Sequence, residues 1–401
     1  MLLAAAAPVG SCASLSHTES ASPEWVATWQ AAPQLTETRN LPPAPGLAGM
    51  TLRQRFHQSL GGSGIRIRLS NEYGDGSVEV GAGYVGRSTG RDGQHATGGS
   101  EIRFEGRPAV VIPVGAFVWS DDIVMATDDH SDVAVSLYLT KVPAGITGHP
   151  GSRTASYIVA GNHVTEERLP NAVMAEHWYI VSNLEVMRNE HSAVVAVLGN
   201  SIADGRGSGT ERDNRWPDNL ARRLSGNGGT RNVAVSNAGI GGNAVLRGGL
   251  GPTALIRFDR DILGQRGVRW VIISEGVNDI GASRGADSAA MVGRELIQVY
   301  QAFIARAHLR GVCAYGATIL PFGGSQYGSA EHERARVAVN QWIRESGAFD
   351  AVIDFDAVMR DAADHEKLRH DVDSGDHLHP NESGYVTMAD AIDVRLFSGV
   401  K

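Results

Sequence analysis

The sequence predicts an all-β sandwich or jelly-roll domain followed by an α/β domain built on a doubly wound parallel sheet. Three observations carry this. Short runs rich in β-branched residues, separated by Gly, Asn and Asp, fill about 24–187 with no long helical pattern among them. Near residue 190 the pattern changes to strand, loop and helix, repeated. The strand candidates beyond that point are continuously apolar, as strands buried on both faces must be.

In chain order, residues 1–22 read as an export signal or leader: MLLAAAAPVGSCASL is an apolar run followed by small residues, too short to span a bilayer. Val9-Gly10-Ser11-Cys12 also resembles a bacterial lipoprotein cleavage box, with Cys12 as a possible lipid anchor. Residues 23–187 form the β domain, with strands expected at Thr51–Phe56, Ile65–Leu69, Val78–Val80, Ile102–Phe104, Val133–Tyr138 and Trp178–Val181. Ile65 to Leu69 alternates apolar and basic residues, the pattern of a half-buried strand. Residues 188–401 form the α/β domain, with strands at Val194–Leu198, Trp270–Ile273 and Val312–Ile319. Helices are expected at Pro217–Leu224, where Pro217 sits near the first turn, and at Ala289–Leu309 and Glu331–Glu345.

Composition narrows the function. A 42% apolar and 20% charged chain of 401 residues has the profile of a globular protein with room for two cores. Net charge is −8 and basic residues are not clustered, which argues against a nucleic-acid partner. The pair Arg222-Arg223 reads as a solvated helix face. Two cysteines with no CxxC pair and no Cys/His cluster give no zinc pattern, and Cys313 reads as a small buried side chain.

Four segments offer chemistry. In open parallel sheets reactive groups collect just beyond the C-terminal ends of the strands. Gly199-Asn200-Ser201-Ile202-Ala203-Asp204-Gly205 follows such a strand, and its glycines permit a turn that lifts the Ser201 hydroxyl outward. Asn237 to Asn243, with three glycines, is either a sharp connection or a cradle of N–H groups. Gly276-Val277-Asn278-Asp279 supplies a carboxamide able to donate to an oxyanion, with Asp279 fixing the local turn. Asp376-His377-Leu378-His379 places a carboxylate three residues before an imidazole, so that Asp376 can accept from His379 Nδ1 and leave Nε2 to take a proton from Ser201.

Together and in this order, the four segments resemble the SGNH hydrolases, a branch of the GDSL esterase–lipase family, over about 190–401. The resemblance implies a flavodoxin-like α/β fold. It places the nucleophile on Ser201, the acid and base of the triad on Asp376 and His379, and the oxyanion donors on Ser201, Gly242 and Asn278. The usual G-D-S-L is Gly199-Asn200-Ser201-Ile202 here: Asn keeps the hydrogen-bonding shape of Asp and loses its charge. The N-terminal half looks like the β-sandwich that precedes the hydrolase domain in some bacterial carbohydrate esterases.

Two rivals were weighed. Gly86-Arg87-Ser88-Thr89-Gly90 fits the G-x-S-x-G elbow, but no helix pattern follows it, and a hairpin turn is the better reading. Asp121, Asp122, Asp128, Asp129 and Asp132 lack EF-hand spacing and read as a solvated acidic loop. Gly148 to Arg153, with Trp178-Tyr179, either lines a cleft or packs between domains. The expected activity is hydrolysis of short acyl esters, acetyl above all, of carbohydrates or similar polar alcohols, with no cofactor or metal required. A general short-chain carboxylesterase or lipase, and a catalytically silent carbohydrate-binding protein, are the alternatives.

Overall fold

The computed structural model describes residues 23–90 and 93–399. The expected leader and the Cys12 anchor lie outside the described residues.

Up to Arg188 the described chain is all β. One antiparallel sheet runs Glu24–Gln30, Val181–Arg188, Gly62–Asn71, Ala116–Trp119, with Ile123–Thr127 also paired to Gly62–Asn71. A second contains Val173–Ala175, Ser156–Ala160, Met50–His57, Asp132–Lys141, Val78–Ser88 and Ala96–Glu101 in that order. Side chains from both sheets, among them Leu52, Phe56, Ile65, Ile67, Leu69, Val135 and Leu137, share one core. The alternation in Ile65–Leu69 therefore does what it promised on its apolar face.

Its basic face differs from expectation, because it is covered. Arg68 is only 7% exposed; its guanidinium lies 3.9 Å from the Phe117 ring centroid and bonds to Glu72 at 3.1 Å. Two other runs are rearranged. The segment Ile102–Phe104 lies past the end of Ala96–Glu101, since Phe104 and Arg107 exchange backbone hydrogen bonds in a tight turn. Trp178–Val181 is split between a short three-stranded sheet and the first large sheet. The chain crosses at Ile180 (φ +66), whose N–H donates to Thr147 and whose carbonyl accepts from Ser70. A positive φ is rare for a β-branched residue, and here hydrogen bonds to both sheets hold it.

The second half is a parallel sheet with helices on both faces. Its strands are β1 (Ala193–Gly199), β2 (Val233–Gly239), β3 (Val268–Ser274), β4 (Cys313–Ala317) and β5 (Ala351–Ile353). Their spatial order is β2-β1-β3-β4-β5, the flavodoxin-like arrangement. The helices are α1 (Ser201–Asp204), α2 (Trp216–Ser225), α3 (Ala254–Phe258), α4 (Val277–Ala282), α5 (Ala286–His308), α6 (Ala330–Glu345), α7 (Phe355–Met359) and α8 (Glu382–Asp390).

Every residue of β1 is buried. Ala196 and Leu198 point into a core with Phe258, Leu296, Tyr300 and Val339, whereas Val195 and Val197 point into another with Trp216, Leu220, Tyr385 and Met388. Continuous apolarity thus serves two cores. Cys313 is buried in β4, which is shorter than the run Val312–Ile319 suggested. Arg223 is not fully solvated: its Nη1 donates to the carbonyls of Ala389, in the last turn of α8, and Ile392, just beyond it, where a cation suits the helix dipole.

Candidate active site

β1 ends at Gly199, where an added Cβ would meet the Cβ of Ala203 at 2.4 Å, so the chain can turn into α1 only with glycine there. Asn200 caps the helix, its Oδ1 accepting from Ile202 N–H at 3.0 Å. Ser201 is therefore the first residue of a one-turn helix, just beyond the C-terminal end of a central strand. Its hydroxyl lies 2.8 Å from His379 Nε2. His379 Nδ1 lies 2.7 Å from Asp376 Oδ2, and Asp376 Oδ1 accepts from the backbone N–H groups of His379 (2.9 Å) and Leu378 (3.1 Å).

Protonation follows from these contacts. Burial opposes ionisation of Asp376, but hydrogen bonds from the His379 backbone and ring outweigh it and hold the carboxyl well below its ordinary value. An ionised carboxylate only accepts, so Nδ1 carries the hydrogen and Nε2 of the neutral ring is left as an acceptor for Ser201 O–H. Burial also draws the His379 imidazole below its ordinary value, against the pull of Asp376, and the charges of Arg206 and Arg153 act in the same direction. His377, the neighbouring imidazole, turns away (φ +59) to Asp373, at 2.6 Å.

Gly242 and Asn278 line the same cleft of about 600 Å³ as Ser201 and His379. The backbone N–H groups of Ser201 and Gly242 donate to no acceptor among the described residues. Gly242 adopts φ +71, and its carbonyl accepts from Leu250 N–H at 2.9 Å. Asn278 Nδ2 donates to the Asn243 carbonyl (2.8 Å) and its Oδ1 accepts from Tyr327 O–H (3.1 Å), which fixes the plane of the amide.

Two readings need correction. Asn237 to Gly239 are the last residues of β2, so the glycine turn is shorter than expected and starts at Ile240. Asp279 does not fix its own turn: its carboxylate accepts from Val245 (2.9 Å) and Leu246 (2.9 Å) N–H, clamping the loop that presents Gly242.

Much of the support was invisible in the motifs. Arg257 on α3, fully buried, donates to the carbonyls of Ala238 (2.6 Å) and Gly199 (3.0 Å) and to Asn243 Oδ1 (3.0 Å), tying together the ends of β1 and β2. Glu275 lies 3.4 Å from Arg257 and accepts from Asn200 Nδ2 at 3.2 Å; burial pushes its carboxyl up to about 8, against the pull of Arg257. Asp204 belongs to the quoted serine segment, yet no partner was foreseen for it. It bonds His149 Nε2 at 2.8 Å. A lone Arg in the apolar stretch ALIRF was the only sequence signal for Arg257.

The Gly148–Arg153 segment and the Trp178-Tyr179 pair part company. Pro150, Gly151 and Arg153 line the cleft, whereas Trp178 and Tyr179 are buried in the β core. Ser88 ends a strand and donates to Gly90 O, the strand beginning at Ala96 pairs antiparallel with it, and no helix follows the serine among the described residues. The acidic loop disperses: Asp121 accepts from Glu105 and Gly106 N–H, Asp122 pairs with Arg66, Asp129 with Arg188 and Asp132 with Arg55. His57, Asp132 and Asp213 converge, but the Arg55 guanidinium lies between the two carboxylates at 2.9 and 2.8 Å.

Residues 197–386 match the GDSL-like lipase/acylhydrolase family. No curated protein matches the chain. Among solved structures, it is similar to the lipase/acylhydrolase from Enterococcus faecalis at 22% identity, over 51% of this chain and 94% of that one, with a TM-score of 0.39. It is also similar to a variant of an acetyl xylan esterase from Geobacillus stearothermophilus at 19% identity, over 50% of this chain and 93% of that one, with a TM-score of 0.39. The family match spans β1 to α8 and so contains Ser201, Gly242, Asn278, Asp376 and His379. The C-terminal domain accordingly belongs to the GDSL-like lipase/acylhydrolases, and the protein is a serine ester hydrolase.

Proposed function

We propose that Ser201, His379 and Asp376 form the catalytic triad of an esterase that removes short acyl groups, acetyl in particular, from carbohydrates or similar polar alcohols. The observation that carries the triad is the unbroken chain from Ser201 Oγ to His379 Nε2 (2.8 Å) and from His379 Nδ1 to Asp376 Oδ2 (2.7 Å). His379 takes the Ser201 proton as Oγ attacks the ester carbonyl; the collapsing intermediate expels the alcohol, which receives that proton, and leaves an acyl-enzyme. Water then attacks with the same base assisting. The N–H groups of Ser201 and Gly242 and the Asn278 amide hold the oxyanion.

The polar lining supports a hydrophilic alcohol. Gln34, Asn40, Arg153 and His177 reach the cleft from the β region, and Gln326 from the α/β region. Leu250, Tyr327 and Leu378 supply apolar wall beside the catalytic serine, room for a short acyl group. In keeping with such a substrate, we propose export of the protein.

A fluorophosphonate probe should label wild-type protein and fail on Ser201→Ala, which should also lose the acyl-enzyme burst. Across a p-nitrophenyl ester series kcat/KM should peak at acetate. A peak at octanoate or longer rejects the short-acyl reading, and an undiminished burst in Ser201→Ala identifies the wrong serine.

A further inference from the structure

Among the described residues, one partly buried cation of the cleft has no partner. Arg153 follows the strand Thr147–His149 in a loop held tightly by the α/β region. Arg215 Nη2 donates to the carbonyls of Gly151 and Ser152, and Glu211 N–H donates to the Arg153 carbonyl at 2.9 Å. Glu211 also accepts from Ala155 N–H at 2.6 Å. The loop holds Arg153 at φ +54, a left-handed conformation that a long side chain adopts only when its surroundings enforce it. Its Nε is buried without a hydrogen-bond partner, and among the described residues its guanidinium forms no ion pair.

The anionic groups of the cleft, by contrast, are already engaged. Glu37 accepts from Gln34 and Asn40, each at 2.9 Å, Asp204 pairs with His149, and Asp376 with His379. Arg206 leans on Asp376 at 3.7 Å with its side chain 62% exposed. The positive charges of the cleft left unanswered among the described residues are therefore Arg39, exposed on its short turn, and Arg153, and of the two it is Arg153 that is partly buried and lies close enough to His379 to act on the imidazole. A guanidinium fixed at its base and free at its tip is a ready fork for a planar oxyanion. One fork matches a singly charged carboxylate.

We infer that the cleft selects esters that carry a carboxylate near the scissile bond, of which an acetylated uronic acid unit is the carbohydrate form, with Arg153 binding that carboxylate. This rests on the esterase reading above and adds the charge of the substrate to it.

The test uses a matched pair: the methyl glycosides of mono-O-acetylated glucuronic acid and of equally acetylated glucose, which differ only in carboxylate against hydroxymethyl. Wild-type kcat/KM should favour the uronide. Arg153→Gln should lower the uronide-to-glucoside ratio by about 10- to 100-fold, the range for a charged hydrogen bond lost from a partly buried site, and Arg153→Lys should restore part of it. Both rates can move in the variants, so the ratio is the readout, measured on protein that still takes up the fluorophosphonate probe. A wild-type ratio near one, or a ratio unchanged in Arg153→Gln, overturns the inference. Failure of the esterase reading shows elsewhere, as wild-type protein that leaves p-nitrophenyl acetate and the probe untouched.

Discussion

In the proposed mechanism His379 must be neutral to accept the Ser201 proton, and its surroundings favour that form. Burial lowers the imidazole's pKa from the ordinary 6.5, only partly resisted by Asp376. The base is thus lost only when pH falls below that lowered value, and the acidic limb of kcat/KM on a neutral ester should have its midpoint below 6.5. A midpoint at 7 or above contradicts the assignment. In the proposed mechanism Asn278 acts differently, as one donor among three. Its replacement by Ala should cost roughly 100- to 1000-fold in kcat while the protein still becomes labelled by the fluorophosphonate probe on long incubation, since one lost oxyanion donor weakens the transition state and leaves the nucleophile in place. A loss under about 3-fold would remove it from the oxyanion hole.

The turns after β1 and β3 depend on a buried carboxyl between them. Glu275 holds the Asn200 amide, and Asn200 in turn caps the helix that begins with Ser201. An aspartate at 200 would lose the amide donor that Glu275 accepts from, which gives the departure from G-D-S-L a local physical sense. Burial raises the Glu275 carboxyl from 4.5 to about 8, so the folded protein holds a proton that the unfolded chain releases between those values. Stability from this group is full below 4.5 and is lost as pH rises through about 8, by at most ~1.4 kcal/mol per pH unit inside the window. Denaturant midpoints at pH 5 and pH 8 should therefore differ less in Glu275→Gln than in wild type. An equal pH dependence in both would sink this account.

Across the whole molecule, a fully buried cation is one of the contacts that join the β region to the α/β region. Arg55, on the strand Met50–His57, pairs with Asp132 of its own sheet and reaches Glu211 (3.0 Å) and Asp213 (2.8 Å) before α2. Removing it takes the guanidinium from three partly buried carboxylates and leaves His57 as the neighbour of two of them, so Arg55→Ala should destabilise the protein by about 3–5 kcal/mol in chemical denaturation. Because Glu211 also grips the Arg153 loop, the same change should impair the cleft while sparing the triad's local hydrogen bonds. A stability loss below about 1 kcal/mol would mean that the two regions are joined mainly by other contacts.

The residues with intrinsic chemistry were legible in the sequence. Ser201, Asn278, Asp376 and His379 stand in short segments after apolar strands or near the end of the chain, and periodicity alone separates the β region from the α/β region. What the sequence determined is thus what depends on neighbours along the chain: the apolarity of β1, the glycine that lets it turn into α1, and the three-residue step from Asp376 to His379. Contacts between residues far apart in sequence were decided only by the tertiary structure. Arg257 tying β1 to β2, Asp279 clamping the Gly242 loop, Arg55 joining the two regions and Arg153 left without a partner all depend on which elements meet. No local pattern encodes that meeting, because burial and charge compensation are properties of the packed chain.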